Sequence, residues 1–332
     1  MQKRNKDMLT AVITGVAGQD GSYLAELLLS KGYAVIGILR RKSTGNNLQN
    51  LSEVIDNENF TLVYGDLTDS TFIYRVLYDY KPVEWYNLAA MSHVGQSFKE
   101  PVSTYDINAI SVLKQLEAIR LISPYTKFYE ACTSEVLGGV GCPKEGYTEE
   151  SMFYPKSPYG VAKLSAFWST KNYREAYNLF ACSGILHNHS SPRRGVDFAT
   201  RKITKGVANI RFGNQKHVSM GTLTSFRDEG HSKDYVKAMH LMLQQKEPED
   251  FLIATGKGAT IGEMLQYCCD LAGLNFDDVY ERNELYCRPS EVNYLLGNPK
   301  KAKEKLGWEP VYTWQDLLKE MYLNDVSILK NI

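Results

Sequence analysis

The stretch L9-T-A-V-I-T-G-V-A-G-Q-D-G-S-Y-L-A-E-L-L28 constrains the fold more than any other. It opens as an unbroken apolar and β-branched run, Leu9–Thr14, the pattern of a strand buried on both faces. Gly15, Gly18 and Gly21 follow at G-x-x-G-x-x-G spacing. Asp20–Lys31 then puts Tyr23, Leu24, Leu27 and Leu28 on one helical face. In a strand–glycine turn–helix unit, backbone N–H groups and a helix N-terminus can approach a pyrophosphate closely. The sequence therefore predicts a dinucleotide-binding unit at its start.

Strand-like runs recur at Ala34–Leu39, Phe60–Tyr64, Val83–Leu88, Lys127–Ala131 and Ala181–His187. Helix-like segments lie between them at Ser70–Tyr80, Val102–Leu121 and Pro158–Tyr177, the last opened by the cap pair Ser157-Pro158. This alternation predicts an α/β fold, a Rossmann-type doubly wound parallel sheet. From about Ser190 the pattern changes to short elements and polar loops, while FLIAT (251–255) reads as a strand returning to the main sheet. Helices are expected at Ile261–Leu271, Pro299–Leu306 and Trp314–Leu329. The expected division is a cofactor domain over residues 1–190, with returning segments near 215–255. A smaller, interleaved C-terminal substrate-binding lobe takes most of 191–332.

Composition narrows the partners. The 38 basic and 38 acidic residues cancel, so no broad attraction to nucleic acid or to an anionic membrane is expected. The six cysteines form no C-x-x-C and no His pair has zinc-ligand spacing, so they read as reduced thiols with no metal site. The basic start MQKRNKD leads into a short β-branched run, which suits a strand better than a signal peptide, and no apolar run reaches membrane-spanning length. A cytoplasmic location is expected.

The end of the second strand bears on the nucleotide. NAD-binding folds place an acidic residue there for the ribose 2′-OH. This chain has I38-L-R-R-K42, and Arg40 and Arg41 suit a 2′-phosphate, so NADP is the expected cofactor. Asp66 and Leu67, in Y64-G-D-L-T68, fall where adenine should lie; a turn or helix cap is the plainer reading of that aspartate.

Tyr159 and Lys163 stand four apart in Y159-G-V-A-K163 and share a helix face. An ammonium beside a phenol favours the phenolate, making Tyr159 a candidate base for oxidising an alcohol, with Thr133 to orient the same oxygen. Glu135, in T133-S-E135, is superfluous for oxidation alone. Once a hexose C4 is a ketone, however, its C5 hydrogen is acidic. A carboxylate can take that proton and then protonate the departing C6 hydroxyl. An ion-paired or surface carboxylate is the competing reading of Glu135.

Longer strings carry a resemblance: GVAGQDGSYLAELLLSKGY, YGDLTDS, YNLAAMSHV, TSE, FYPKSPYGVAKL, NYREAYNLFA, SSPRRG, TRKIT, PEDFLIATG, RPSEV and KAKEKLGW. Across nearly its whole length the chain resembles the extended short-chain dehydrogenase/reductases, and within them the GDP-mannose 4,6-dehydratases. The resemblance implies catalytic roles for Thr133, Glu135 and Tyr159, with Lys163 and Ser134 in support. It implies NADP contacts from Gly15, Gly18, Gln19, Asp20, Gly21, Arg40, Arg41, Asp66, Leu67, Leu88, Ala89, Ala90, Ser92, Lys163, His189 and Arg194. It implies nucleotide-sugar contacts from Asn188, Lys202, Arg227, Arg288 and Glu291, with the two arginines as diphosphate clamps. It also implies a homodimer or homotetramer, with the loop after the second strand near a subunit interface.

The chain departs from the family pattern at Leu137, where a tyrosine is usual, and at His187 (phenylalanine), Ser190 (glutamate), Glu229 (tryptophan) and Ser103 (tyrosine). The segment before Arg288 is short and ends in Cys287. These changes leave a GDP-heptose as an alternative to GDP-mannose. An epimerase or ketoreductase on this scaffold would have no use for Glu135. A non-catalytic nucleotide sensor would need neither Tyr159 nor Lys163.

Overall fold

The computed structural model describes residues 8–43 and 48–331. The basic residues 1–7 lie outside these, as do residues 44–47 in the loop expected near a subunit interface. The first half alternates as the apolar runs require: β1 (Thr10–Thr14), α1 (Gln19–Ser30), β2 (Ala34–Leu39), β3 (Phe60–Tyr64), α2 (Ser70–Tyr80) and β4 (Glu84–Asn87). After two short helices, α3 (Val94–Ser97) and α4 (Pro101–Tyr105), come α5 (Ser111–Ile122), β5 (Lys127–Thr133), α6 (Pro158–Tyr177) and β6 (Ala181–Leu186). The second half adds β7 (Asn188–Ser190), α7 (Ala199–Arg211), β8 (Val218–Met220), β9 (Phe226–His231), α8 (Ser232–Leu243) and β10 (Phe251–Ile253). It ends with β11 (Gly258–Thr260), α9 (Ile261–Ala272), α10 (Phe276–Val279), β12 (Tyr280–Arg282), β13 (Tyr294–Leu295) and α11 (Trp314–Lys330).

Seven parallel strands form the main sheet in the order β10-β6-β5-β4-β1-β2-β3. The order reverses between β1 and β4, and at such a switch point the ends of the strands leave a crevice for a ligand. Both sheet faces are covered. Leu24 and Leu28 of α1 pack with Met239 and Met242 of α8 on one side. Ile73 and Val76 of α2, Leu116 and Ile119 of α5 and Ala166 of α6 pack on the other. A smaller lobe joins α7, α9 and α11 through Ile203, Val207, Met264, Leu265, Leu318 and Tyr322. In it β9 pairs with β7, β11 and β13, and β8 with β12.

Some segments differ from their periodicity; the helix expected over 299–306 is a π turn at Ala302–Leu306. The helix expected over 102–121 widens into a π turn at Asp106–Ile110, a feature common at functional sites. There Asn108 Oδ1 accepts from Met91 N at 2.9 Å and Asn108 Nδ2 donates to Met91 O at 3.0 Å, pinning the loop after β4. The strand expected over 181–187 stops at Leu186. Residue 187 still donates its N–H to Ile253 O at 2.9 Å. The chain then leaves the main sheet to pair β7 with β9. Among the described residues no helix is long and apolar enough to cross a membrane.

Candidate active site

A cleft of about 1540 Å³ opens at the ends of the parallel strands, between the main sheet and the smaller lobe. It is lined by every residue named above for catalysis, cofactor or substrate except Arg41.

At one end lies the glycine turn. Gly15 has φ +68°, and a Cβ on it would lie 2.9 Å from Ala89 Cα. A Cβ on Gly21 would lie 2.4 Å from Gly15 O. Gly18 precedes α1 with no side chain over the helix N-terminus. The missing side chains leave the cradle that a pyrophosphate needs, so these residues fit a bound dinucleotide.

Gln19 and Asp20 lash this end to the second lobe. Asp20 Oδ2 meets His189 Nε2 at 2.9 Å, and Ser191 Oγ donates to Gln19 Oε1 at 2.9 Å. Burial would raise the Asp20 pKa, but His189 and then Arg194 outweigh it and hold it at about 2. Burial likewise opposes a charged His189, yet Asp20 leaves its pKa raised. Leu88 N and Ala89 N both donate to Thr14 Oγ1 at 3.0 Å, which fixes the wall continued by Ala90 and Ser92. Asp66 turns back on itself, accepting from Thr68 N at 2.9 Å and Thr68 Oγ1 at 2.8 Å; Leu67 is buried beside it.

Arg40 lines the cleft, but Arg41 stacks on Tyr64 with its guanidinium carbon 5.0 Å from the ring centroid. The two-arginine clamp expected for a 2′-phosphate is not assembled.

The catalytic side chains converge because β5 and α6 end and begin side by side. β5 ends at Thr133, and a 3-10 turn, Ser134–Val136, carries Ser134 and Glu135. Ser157 Oγ accepts from Gly160 N at 3.0 Å and Pro158 opens α6, so Tyr159 and Lys163 sit in its first turns. Tyr159 is 8% exposed and Lys163 1%. The expected pull of Lys163 on the phenol is present but is outweighed. Burial raises the Tyr159 pKa above its ordinary value, outweighing Lys163 and the Thr133 hydrogen bond. Cys132 and Glu135 add to the rise, and Lys163 Nζ is itself paired with Glu130 Oε1 at 3.0 Å.

Glu135 is buried; its Oε1 meets Arg288 Nη1 at 3.3 Å, and its Oε2 has no hydrogen-bond partner among the described residues. Arg227 Nη2 meets Glu291 Oε1 at 3.4 Å, and Arg288 lies 3.8 Å from the same oxygen. Two guanidiniums and two carboxylates thus form one balanced group beside Tyr159. Lys202 Nζ lies 3.2 Å from the Tyr286 ring centroid, and burial lowers its pKa. Asn188 stands on β7 at the cleft wall.

The departures from the family pattern divide. Leu137 is fully buried against Val136, Tyr147 and Ile185, away from the cleft. His187 is buried with neither ring nitrogen hydrogen-bonded. Ser190 and Glu229 belong together: Ser190 Oγ donates to Glu229 Oε1 at 2.5 Å across paired β7 and β9. The carboxylate usual on one strand is here supplied by its neighbour. Residue-by-residue reading missed this pair, and it missed Asn87, Asn108 and Glu130. Glu130 left a signal: it is a charge in the middle of the buried run KFYEA.

A family model described as GDP-mannose 4,6 dehydratase matches residues 12–321. The GDP-mannose 4,6-dehydratase of Vibrio cholerae is 46% identical, over 96% of this chain and 94% of its own. The GDP-mannose 4,6 dehydratase of Homo sapiens is 45% identical, over 96% of this chain and 92% of its own. Among solved structures, Thermotoga maritima UDP-glucose 4-epimerase with UDP-glucose gives a TM-score of 0.85 at 26% identity, covering 97% of this chain and 100% of that one. Bacillus anthracis dTDP-glucose 4,6-dehydratase in complex with NAD gives 0.83 at 24%, covering 95% and 96%. Bacillus cereus UDP-glucuronic acid 4-epimerase, also described with NAD, gives 0.85 at 23%, covering 96% and 100%. The solved neighbours described with a nicotinamide cofactor carry NAD. Together with the position of Arg41, this overturns the expectation of NADP. Nearly half of its residues are shared with these relatives, from the first strand to the last helix, and the chain belongs to the GDP-mannose 4,6-dehydratase family, hydro-lyases on the extended short-chain dehydrogenase/reductase fold.

Proposed function

We propose that the protein binds NAD and a GDP-sugar and dehydrates the sugar across C5 and C6, taking GDP-mannose to GDP-4-keto-6-deoxymannose. The observation that carries this reading is Glu135, a buried carboxylate with one free oxygen, on the same wall as the Tyr159–Lys163 pair. NAD, when bound, would supply the hydride acceptor for C4 and the donor for C6, with no net redox change. Gly15, Gly18 and Gly21 cradle its pyrophosphate. Gln19, Asp20, Arg40, Asp66, Leu67, Leu88, Ala89, Ala90, Ser92, His189 and Arg194 complete its wall.

Tyr159 accepts the proton of the C4 hydroxyl, with Thr133 orienting that oxygen and Lys163 supplying positive charge. Glu135 takes the C5 proton and then protonates the departing C6 hydroxyl, with Ser134 beside it on the turn. Arg227 and Arg288 clamp the diphosphate. A diphosphate there draws Arg288 off Glu135 and leaves the carboxylate free to act. Asn188, Lys202 and Glu291 complete the nucleotide-sugar wall. A GDP-heptose is the second reading, motivated by the changed residues His187, Ser190 and Glu229 at the cleft wall.

We propose this division of labour: cofactor over 1–190 with returning segments near 215–255, nucleotide sugar mostly over 191–332. The proposed assembly is a homodimer or homotetramer, and the proposed location the cytoplasm.

Incubation with NAD and GDP-mannose or a GDP-heptose in deuterated water tests the reaction. The expected product has lost one water and carries deuterium at C5, with no net NADH; no water loss from either sugar refutes the reading. Calorimetric titration tests the cofactor: NAD should bind at least about tenfold more tightly than NADP, or about 1.4 kcal/mol. Equal or inverted affinities would sink that assignment.

A further inference from the structure

Glu130 lies in the centre of the main sheet and is fully buried. The two-residue alternation of β5 puts it on the same face as Phe128, which packs against Ala166 of α6. Register then builds a row beneath α6. Thr14 of β1 is paired with Asn87 of β4, and Asn87 with Glu130 of β5. Their side chains follow the register: Thr14 Oγ1 donates to Asn87 Oδ1 at 3.0 Å, and Asn87 Nδ2 donates to Glu130 Oε2 at 2.6 Å. The other carboxylate oxygen, Oε1, receives Lys163 Nζ at 3.0 Å. A second bond from Lys163 Nζ goes to Ala131 O at 2.9 Å. Two of the three ammonium hydrogens are therefore held from below.

Such a pair is a poor choice for stability. The side chains are 2% and 0% exposed, and two desolvated charges rarely gain more than an apolar pair of similar shape. Its position is better explained by the reaction. We propose that Glu130 is the positioning residue for Lys163: it holds the ammonium beneath Tyr159 and, as its counter-ion, sets the pH range in which the phenol accepts the sugar's C4 hydroxyl proton. The proposal rests on Tyr159 being that base. Glu130 touches neither substrate nor cofactor and acts through Lys163. The row also ties base and cofactor together, since Thr14 Oγ1 holds the loop amides of Leu88 and Ala89.

The sign of the effect follows from the charges facing the pair. Cys132 of β5 and Glu135 of the following turn face Tyr159, while Glu130, Cys132 and Tyr159 face Lys163. Burial disfavours the Lys163 cation, and Glu130 is the largest influence opposing it. Removing the Glu130 charge should make Lys163 lose its proton at lower pH. It should also strengthen the pull of the remaining cation on the phenol. Both limbs of the pH–rate profile should then move acidward.

The variants are Glu130→Gln and Glu130→Asp in the NAD-loaded enzyme, with GDP-mannose as substrate. Glu130→Gln should shift the kcat/KM profile down by about one pH unit. Glu130→Asp should keep its position at a lower kcat. A merely structural Glu130 would scale the profile without moving it, and that result overturns the proposal. Lysine-labelled 15N NMR gives a reading independent of turnover, with the Lys163 ammonium signal assigned by its loss in Lys163→Arg. It should persist at about pH 8 in wild type, held by two acceptors, and exchange away in Glu130→Gln. An unchanged signal in Glu130→Gln would overturn the proposal. If that variant does not fold, absence of the signal in wild type overturns it. No water loss by wild type would reject the catalytic reading, while the NMR would still decide whether Glu130 holds Lys163.

Discussion

His187, buried beside Gly297 with both ring nitrogens unpaired, gives the protein an acid-sensitive cost. Burial and then Arg227 hold its pKa at about 3, against an ordinary value of 6.5. Below pH 6.5 the unfolded chain binds a proton that the folded chain refuses. Stability should therefore fall by about 1.4 kcal/mol per pH unit from pH 6.5 towards 3, one proton's worth. His187→Phe should remove that slope, read as urea midpoints at about pH 7 and pH 4.5; parallel pH dependence in both proteins would refute it. At the site, Glu135→Gln should abolish water loss while hydride transfer to bound NAD stays visible at the NADH absorbance. Tyr159→Phe should slow both steps by about 10²–10⁴-fold, the range for a general base. Normal dehydration by Glu135→Gln would remove that residue from the mechanism. That these side chains share one cleft was legible because T133-S-E135 and Y159-G-V-A-K163 each combine residue type with spacing. The ionic surroundings were not. Nothing local links Arg288 to Glu135 or Glu130 to Lys163 across 153 and 33 residues.

Elements followed where local chemistry was strong. The capping box of α9 is reciprocal: Glu263 N donates to Thr260 Oγ1 at 3.1 Å, and Thr260 N to Glu263 Oε2 at 2.7 Å. Thr260→Ala should cost about 1 kcal/mol, seen as a lower denaturant midpoint with unchanged slope; no change would mean tertiary packing alone holds that end. In the glycine turn, Gly21→Ala should do more, because its Cβ meets a backbone oxygen that cannot yield without opening the cradle. Weaker NAD binding is its specific sign. Local pattern failed where the chain changes partners. Ala181–His187 looks continuous, yet the strand ends at Leu186, and after a last main-sheet bond from His187 N the chain pairs Asn188–Ser190 with β9. The π turn at Asp106–Ile110 is equally unsigned: its Asn108 bonds Met91, 17 residues away in the loop after β4.

For the whole molecule, an apolar stripe crosses the outer face. Val102 of α4, Leu113 of α5, and Val161 and Trp168 of α6 are 73%, 40%, 46% and 50% exposed. Tyr105 Oη donates to Ser165 Oγ at 3.0 Å and joins α4 to α6 within it. Large exposed apolar patches mark association surfaces, which supports the proposed dimer. Sedimentation should give a dimer that Val161→Glu with Trp168→Glu converts to monomer. A wild-type monomer would place those side chains in solvent for some other reason.

The sequence by itself determined the sheet, the glycine cradle and the members of the reacting group. Each of these depends on spacing within a few residues, and backbone geometry acts at that range. Only the tertiary structure decided the rest. It turned Arg41 onto Tyr64 and left it out of the cleft lining. It joined Ser190 to Glu229, and it laid Thr14, Asn87 and Glu130 in one row under Lys163. The physical reason is common to all three. Whether a charge finds solvent, a ring or a counter-ion depends on strand register and lobe closure, which bring distant residues into contact.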